Sequence, residues 1–202
     1  YEIPNGLDKK EAPVAEPTAV SLHAVLIGEQ SLKKPLSECK ILVQGGGAIG
    51  LLCGLILSKI KRNKNITLSD PNKLRLKECS KYLEANFVGP DHKDIQSNSF
   101  DIVFDTVGLE ASRQQAIDVV KPGGSIIHIG LTHPAGTFNF RKMTLQEVTV
   151  IGTYCYTNKD FEQTLSILAN KDIGSLDWIE FRDLKNGGDA FKQIHDGTCV
   201  AP

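Results

Sequence analysis

Short apolar runs alternate along this chain with longer segments in which apolar and polar residues recur at helical spacing. The apolar runs predict six strands, at residues 40–44, 65–70, 86–88, 100–105, 125–130 and 147–153. Helices are predicted between them, at 48–61, from Pro71 onward, at 110–120 and, last, at 160–170. Strands joined by helical crossovers must run parallel, so the pattern predicts an α/β fold, a doubly wound parallel sheet with helices on both faces.

Composition and charge narrow the classes of partner. The formal net charge is -1, which argues against nucleic acid and against an anionic membrane surface, because both require a clustered basic face. The longest apolar stretch, residues 49–57, is too short to span a bilayer. The five cysteines are scattered and form no C-x-x-C pair, which favours reduced thiols and a cytoplasmic protein.

A glycine-rich turn follows the first predicted strand and opens the next helix. Gly45, Gly47 and Gly50 fit the pattern G-x-G-x-x-G, which indicates a Rossmann dinucleotide site. In that site the first glycine makes the tight turn, the second admits the pyrophosphate, and the third allows the helix to approach the strand. The N–H groups at the helix N-terminus would then bind the phosphates. A glycine turn without a ligand is the alternative.

An acidic residue at the end of the second predicted strand strengthens the dinucleotide interpretation. Asp70 lies 20 residues after Gly50, where a carboxylate can accept hydrogen bonds from the adenosine ribose. Such a carboxylate would repel a 2′-phosphate, so NAD is expected rather than NADP. The cations Lys73 and Arg75 lie nearby and could weaken that preference, and Arg75 could also bind the ribose or pair with Asp70. As an alternative, Asp70 could cap the following helix.

The motifs in combination resemble those of zinc-dependent medium-chain alcohol and polyol dehydrogenases, the sorbitol and threonine dehydrogenase group. Residues 41–71 resemble the coenzyme-binding core, and residues 15–24 resemble a Glu-Pro…His-Ala segment of the polyol branch. Residues 101–108, 121–131, 152–157 and 178–197 are similar to later segments of the family. The resemblance implies hydride transfer between an alcohol or ketone and NAD, with zinc polarising the substrate oxygen.

The resemblance also implies roles for individual residues. Gly45, Gly47, Ile49 and Gly50 match the pyrophosphate loop, and Asp70 and Arg75 match the ribose-binding pair. The positions beside the nicotinamide end are Thr106, Ile129, Gly130 and Leu131. Glu16 matches a glutamate that approaches the catalytic zinc, whereas from the residues alone it is an acid at a helix N-terminus. Tyr156 matches a possible substrate contact, and Cys155 replaces an arginine common in the polyol branch. His23 is interpreted as a packing residue.

The resemblance implies that the other zinc ligands lie in an N-terminal GroES-like domain, which we expect not to be part of these 202 residues. Residues 1–38 are therefore expected to be a linker or helical segment on the catalytic side, residues 39–172 the Rossmann domain, and residues 173–202 a return toward the missing domain. We expect this chain to bind NAD and to be inactive alone, and zinc to belong to the full-length enzyme. The family also implies a homodimer, for which residues 137–140 and 148–151 are candidate apolar strand edges.

Other classes of protein share some of these features. A non-catalytic NAD-binding regulatory domain would have the same glycine loop and Asp70, and a zinc-free quinone reductase of the same superfamily would differ mainly at Glu16. An S-adenosylmethionine methyltransferase also uses a glycine turn and a strand-end acid, but the spacing here favours a dehydrogenase. A short-chain dehydrogenase is disfavoured because the sequence has no Y-x-x-x-K.

Overall fold

The six predicted strands form one parallel sheet. The computed structural model describes residues 1–199, so the last three residues of the predicted C-terminal segment lie outside the described residues. The strand order is β3-β2-β1-β4-β5-β6, and every neighbouring pair is parallel, which confirms the doubly wound Rossmann architecture. The strands are β1 (Ile41–Gln44), β2 (Ile66–Ser69), β3 (Asn86–Val88), β4 (Phe100–Asp105), β5 (Val120–His128) and β6 (Thr149–Gly152).

Helices cover both faces of the sheet. They are α1 (Ala15–Gln30), α2 (Ala48–Leu55), α3 (Lys73–Cys79), α4 (Glu110–Val119), α5 (Phe140–Leu145), α6 (Asn158–Ala169) and α7 (Gly187–His195). Alternate strand residues face two separate cores: Val43 and Phe104 pack in the core beneath α1, α2 and α6, whereas Leu42 and Val103 pack beneath α4. This alternation is what a sheet buried on both faces requires.

Several element boundaries differ from those that the sequence predicts. The helix predicted at 48–61 is α-helical to Leu55 and continues as a π-helical turn over Ile56–Ile60. The next helix begins at Lys73 rather than at Pro71, because the Asn72 side chain accepts the N–H groups of residues 74 and 75 as the N-cap. Residues 121–124, which lie between the predicted helix at 110–120 and the predicted strand at 125–130, belong to β5, which begins at Val120.

One of the two predicted strand edges is wrong. Residues 137–139 form no strand, and Asn139 instead caps α5 by accepting the N–H of Lys142. Thr137 is held by its N–H and hydroxyl groups, which both donate to Glu110. Side-chain acceptors for these backbone groups compete with strand pairing. The other predicted edge lies at β6, which pairs with β5 alone at the end of the sheet.

The N-terminal segment contributes to the core. Helix α1 packs against α2 and α6, and its residues Leu22 and Val25 are fully buried. His23 donates from Nδ1 to Asp160 at 2.8 Å and so joins α1 to the start of α6, which agrees with its interpretation as a packing residue. The domain boundaries at residues 38 and 172 stay predictions. Within residues 1–199, no helix has both the length and the apolar character needed to cross a membrane.

Candidate functional site

A cleft opens at the carboxyl edge of the sheet, between β1 and β4. The chain leaves β1 toward α2 on one face of the sheet and leaves β4 toward α4 on the other face. The two connections therefore diverge, and in parallel sheets the resulting crevice is the usual place for a ligand. A cavity of about 340 Å³ lies there, and its walls are Gly45, Gly47, Ala48, Ile49, Gly50, Asp70, Pro71, Arg75, Thr106 and Val107.

The turn from β1 into α2 depends on two of its glycines. Gly45 has a φ of +95°, a left-handed conformation that favours glycine. At Gly50 an added Cβ would lie 1.8 Å from the carbonyl oxygen of Gly45, so α2 can begin this close to the turn only without a side chain. These two positions are therefore required by the fold itself.

The middle glycine of the motif has a different environment. Gly47 is the N-cap of α2 with φ -71° and ψ -175°, a conformation open to any residue. An added Cβ at Gly47 would meet no atom within 4 Å. The first N–H groups of α2, which have no acceptor inside the helix, begin at this point. The cleft thus offers N–H donors and the positive end of a helix dipole, the combination that binds phosphate.

Asp70 lies opposite the glycine turn, just after β2, and is only 3% exposed. Its Oδ2 accepts the Gly46 N–H at 2.8 Å and pairs with Arg75 Nη1 at 3.2 Å, while its Oδ1 accepts the Asn72 N–H at 2.7 Å. The carboxylate therefore holds the glycine turn and the start of α3 together. The alternative prediction, that Asp70 caps the following helix, is wrong, because Asn72 is the N-cap of α3.

The far wall of the cleft is the turn that follows β4. The Thr106 hydroxyl donates to the Gln44 carbonyl oxygen at 2.7 Å, and the Thr106 N–H donates to the same oxygen at 3.1 Å. A Cβ at Gly45 would lie 2.7 Å from the Thr106 hydroxyl and 2.8 Å from Val107 Cγ2, so the two turns are in close contact. The structure thus brings seven of the predicted coenzyme residues to one cleft: Gly45, Gly47, Ile49, Gly50, Asp70, Arg75 and Thr106.

The other three predicted coenzyme residues, Ile129, Gly130 and Leu131, follow β5 and do not line that cavity. Ile129 is buried, whereas Leu131 is 80% exposed. A Cβ at Gly130 would lie 2.2 Å from the carbonyl carbon of Val107, and one at Gly108 would lie 2.0 Å from the Gly130 oxygen. The segment after β5 is therefore pressed against the turn after β4, and it extends the edge of the cleft toward β6.

Glu16 and Tyr156 do not line that cavity, but Tyr156 lies within range of the Glu16 charge. Glu16 is exposed in the first turn of α1. Burial first, and then the charges of Glu16 and Cys155, raise the pKa of Tyr156. The Tyr156 ring stacks on Phe161 of α6, with ring centroids 5.4 Å apart. The two residues that the resemblance places near substrate thus share one surface at the start of α1 and α6.

Candidate zinc ligands are dispersed in the part of the chain that the structure describes. Among residues 1–199 no three side chains of His, Cys, Asp or Glu come together as ligands, and a protein zinc site needs at least three. Three of the cysteines, Cys39, Cys53 and Cys79, are buried thiols, and burial raises the pKa of Cys53 to about 12 and of Cys79 to about 11. These groups are neutral at ordinary pH and serve as core residues.

The sequence of the chain decides its family. The zinc-binding dehydrogenase family matches residues 48–170, which is more than half of the chain and includes the helix after the glycine turn, Asp70 and strands β2 to β6. This chain belongs to the zinc-binding dehydrogenase family. That membership confirms the resemblance drawn from the glycine turn, Asp70 and the later segments.

Curated relatives and a solved structure match nearly the whole chain. A probable D-xylulose reductase A of Aspergillus clavatus is 26% identical, and the match covers 99% of this chain and 58% of the relative. A sorbitol dehydrogenase of Halalkalibacterium halodurans is 27% identical, with 99% and 60% covered. The structure of acetophenone reductase from Geotrichum candidum in complex with NAD superimposes with a TM-score of 0.86 at 20% identity, covering 100% of this chain and 57% of that one. The chain therefore spans about three fifths of the length of these relatives.

Sequence reasoning missed part of the site. Val107 and Pro71 line the cleft, and neither has a chemical group that marks it in a sequence. Asp105 is also absent from the predicted site residues, although it is fully buried at the end of β4, beside the cleft wall. A carboxylate at the end of an otherwise apolar strand is the signal that could have identified it, since a buried charge needs partners.

Proposed function

We propose that this chain binds NAD in the cleft between β1 and β4 and is the coenzyme-binding part of a zinc-dependent alcohol or polyol dehydrogenase. The observation that carries the proposal is the empty space at Gly47. The fold requires glycine at positions 45 and 50 but has room for a side chain at position 47. A glycine that the protein itself does not need is explained by a ligand that approaches the backbone there, and a pyrophosphate at the start of α2 is that ligand.

The position of Asp70 supports NAD rather than NADP. Its carboxylate lies at the end of β2, where the adenosine ribose of a dinucleotide in this cleft would fall. A 2′-phosphate would bring a second negative charge beside a carboxylate that is only 3% exposed. Arg75 offsets part of this repulsion but is already paired with Asp70. We therefore expect NAD to bind at least about tenfold more tightly than NADP, a difference of about 1.4 kcal/mol.

The coenzyme preference is tested by titrating the chain and its Asp70→Ser variant with NAD and with NADP. The readout is the ratio of the two dissociation constants, because loss of the Asp70 contacts to Gly46 and Asn72 lowers overall stability and affects both ligands. We expect the ratio to shift toward NADP by about tenfold. Arg75→Ala is the matched control, since it removes the cation and leaves the carboxylate, and should disfavour NADP further. An unchanged ratio in Asp70→Ser would contradict the assignment.

The activity proposed for the whole protein is oxidation of an alcohol or polyol to a ketone with NAD as hydride acceptor. Its support is membership of the zinc-binding dehydrogenase family and the similarity to proteins named D-xylulose reductase and sorbitol dehydrogenase. Glu16 and Tyr156 would face the substrate side, and zinc would be held by ligands outside this chain with Glu16 nearby. We expect the 202-residue chain, given NAD, zinc and sorbitol, to form no NADH. Zinc-dependent NADH formation by this chain would refute that expectation.

We further propose a homodimer in which β6 pairs with β6 of a second copy. Strand β6 is the edge of the sheet, and Val150 is 40% exposed on it. An exposed apolar edge strand offers unpaired backbone groups to another chain. Light scattering at high concentration should give the mass of a dimer, and Val150→Lys should shift the mass toward the monomer. A monomer mass for the unaltered chain at every concentration would argue against β6 pairing.

The cytoplasm is the proposed location. The three buried thiols Cys39, Cys53 and Cys79 are unpaired, and reduced thiols persist in the cytosol. A fluorescent fusion of the full-length protein should give diffuse cytoplasmic signal, and signal confined to a secretory compartment would count against the proposal.

A further inference from the structure

A row of polar side chains crosses the carboxyl end of the sheet on the α4 face. Gln44 of β1, Asp105 of β4 and His128 of β5 are direct neighbours in register, and beyond His128 the row ends at Gly152 of β6, which has no side chain. Asp105 is fully buried, and the His128 side chain is 28% exposed. A buried carboxylate stays ionised only when hydrogen-bond donors satisfy its oxygens.

The geometry of the donors to Asp105 is clearest for two segments, the turn after β4 and strand β5. Its Oδ1 accepts the backbone N–H groups of Val107 at 3.1 Å and Gly108 at 2.9 Å, which belong to the turn after β4. Its Oδ2 pairs with Nδ1 of His128 at 3.0 Å. Burial acts to raise the pKa of Asp105, but hydrogen bonds from His128, Gly108, Ser112 and Val107 outweigh it and hold the pKa below its usual value. The carboxylate thus accepts both N–H groups of the turn 107–108, while the carbonyl oxygens of that turn accept from Thr132, Arg113 and His133.

That turn separates two parts of the cleft edge. Gly108 and Gly130 approach so closely that neither has space for a Cβ, so the position of the turn sets the position of the segment after β5. Thr106, on the other side, is anchored to the Gln44 carbonyl by its own two hydrogen bonds and needs nothing from the Asp105 carboxylate. Loss of the carboxylate should therefore disturb the β5 side of the cleft more than the glycine turn, which contacts the turn 107–108 only through Val107.

A dinucleotide in this cleft has its adenosine beside Asp70 and its pyrophosphate at the start of α2, so its second nucleoside must extend past Thr106 toward β5. We propose, building on the NAD-binding function proposed above, that Asp105 is a positioning residue for the nicotinamide half of the coenzyme and that His128 holds its carboxylate in place. Asp105 touches no part of the ligand. It acts through the turn 107–108, which it supports.

The test compares NAD with ADP-ribose, which lacks only the nicotinamide ring. The unaltered chain should bind NAD more tightly than ADP-ribose. In Asp105→Asn one acceptor oxygen becomes an NH₂ group, so the affinity for NAD should fall about tenfold while that for ADP-ribose changes less than about twofold. Asp101→Asn is the matched control. Asp101 is on the same strand with its own partners, Lys40 N–H at 2.7 Å and Lys121 Nζ at 2.9 Å, but lies at the opposite end of the sheet.

A second pair of variants keeps the test decisive if Asp105→Asn does not fold. His128→Leu removes the donor to Asp105, and His128→Asn keeps a side-chain N–H near the position of Nδ1. The first should lose NAD affinity selectively and the second should restore most of it. The inference is overturned if NAD and ADP-ribose lose affinity equally, if Asp101→Asn has the same effect, or if the unaltered chain binds both ligands equally. If it binds neither, the proposed NAD-binding function is wrong and this inference falls with it.

Discussion

The glycine motif makes a prediction in which two neighbouring glycines respond to the same substitution in opposite ways. In Gly50→Ala the new Cβ would lie 1.8 Å from the Gly45 carbonyl oxygen and 3.0 Å from the Thr106 hydroxyl. The closest neighbour is backbone, so no rotamer change relieves the overlap. We expect a loss of about 3 kcal/mol or more, larger than the gain of about 1 kcal/mol from replacing a helical glycine by alanine.

In Gly47→Ala the fold should hardly change. The new Cβ meets no atom within 4 Å, and the backbone φ of -71° suits alanine. The free energy of unfolding should fall by about 0.5–1 kcal/mol, because alanine is a poorer N-cap than glycine. The new methyl group should clash with a bound ligand, because the methyl group occupies the space that the pyrophosphate needs. We expect NAD affinity to fall by at least about tenfold, or about 1.4 kcal/mol.

The assay combines thermal unfolding with calorimetric titration of NAD. For a chain of this size each kcal/mol corresponds to about 2–4 °C in Tm, so Gly50→Ala should melt at least about 6 °C lower and Gly47→Ala no more than about 4 °C lower. The two variants are each other's control, because they differ by three positions in one turn. Normal NAD binding by a stable Gly47→Ala variant would refute the reasoning, since the space at Gly47 would then have no ligand to explain it.

Two further predictions concern stability. Asn63 is buried, donates to the carbonyl groups of Leu36 and Cys39 and accepts the Asn65 N–H. Asn63→Ala should remove all three bonds, leave the Leu36 carbonyl with the Cys39 N–H alone, and lower the free energy of unfolding by about 3 kcal/mol; an unchanged Tm would contradict this. Burial raises the pKa of the Asp160 carboxyl, but hydrogen bonds from Thr157 and His23 lower it more, to a net value below 3.8. Its stabilisation should thus be complete above about pH 5 and lost as the pH falls through the lowered pKa, because the unfolded chain binds the proton first. Urea unfolding between pH 7 and 3 should show that loss, and Asp160→Asn should make the curve flatter, whereas an equally steep curve would count against it.

The sequence predicted most of the sheet and most of the cleft because both depend on local patterns. Buried parallel strands are short apolar runs, and the glycine turn is read from spacing alone, so β1 to β6 form where the sequence predicts them and seven of the residues predicted to bind the coenzyme line one cleft. The position of Asp70 directly after the second strand is enough to predict that its side chain lies at the cleft. These features need no information about distant parts of the chain.

The remaining features depend on contacts between segments far apart in sequence. The strand predicted at 137–140 failed because Glu110 and the Asn139 cap satisfy those backbone groups instead. The role of Asp105 depends on His128, 23 residues later, which has no recognisable spacing to it. The packing of α1 against α2 and α6 likewise joins segments that the strand pattern treats separately.

Calorimetric titration of the unaltered chain with NAD tests the central claim most directly, with S-adenosylmethionine titrated in parallel. Our account predicts saturable binding of one NAD per chain, no competing binding of S-adenosylmethionine, and loss of the NAD signal in Gly47→Ala at nearly unchanged Tm. Absence of NAD binding by the folded chain, or preferential binding of S-adenosylmethionine, would show that the cleft between β1 and β4 is not an NAD site.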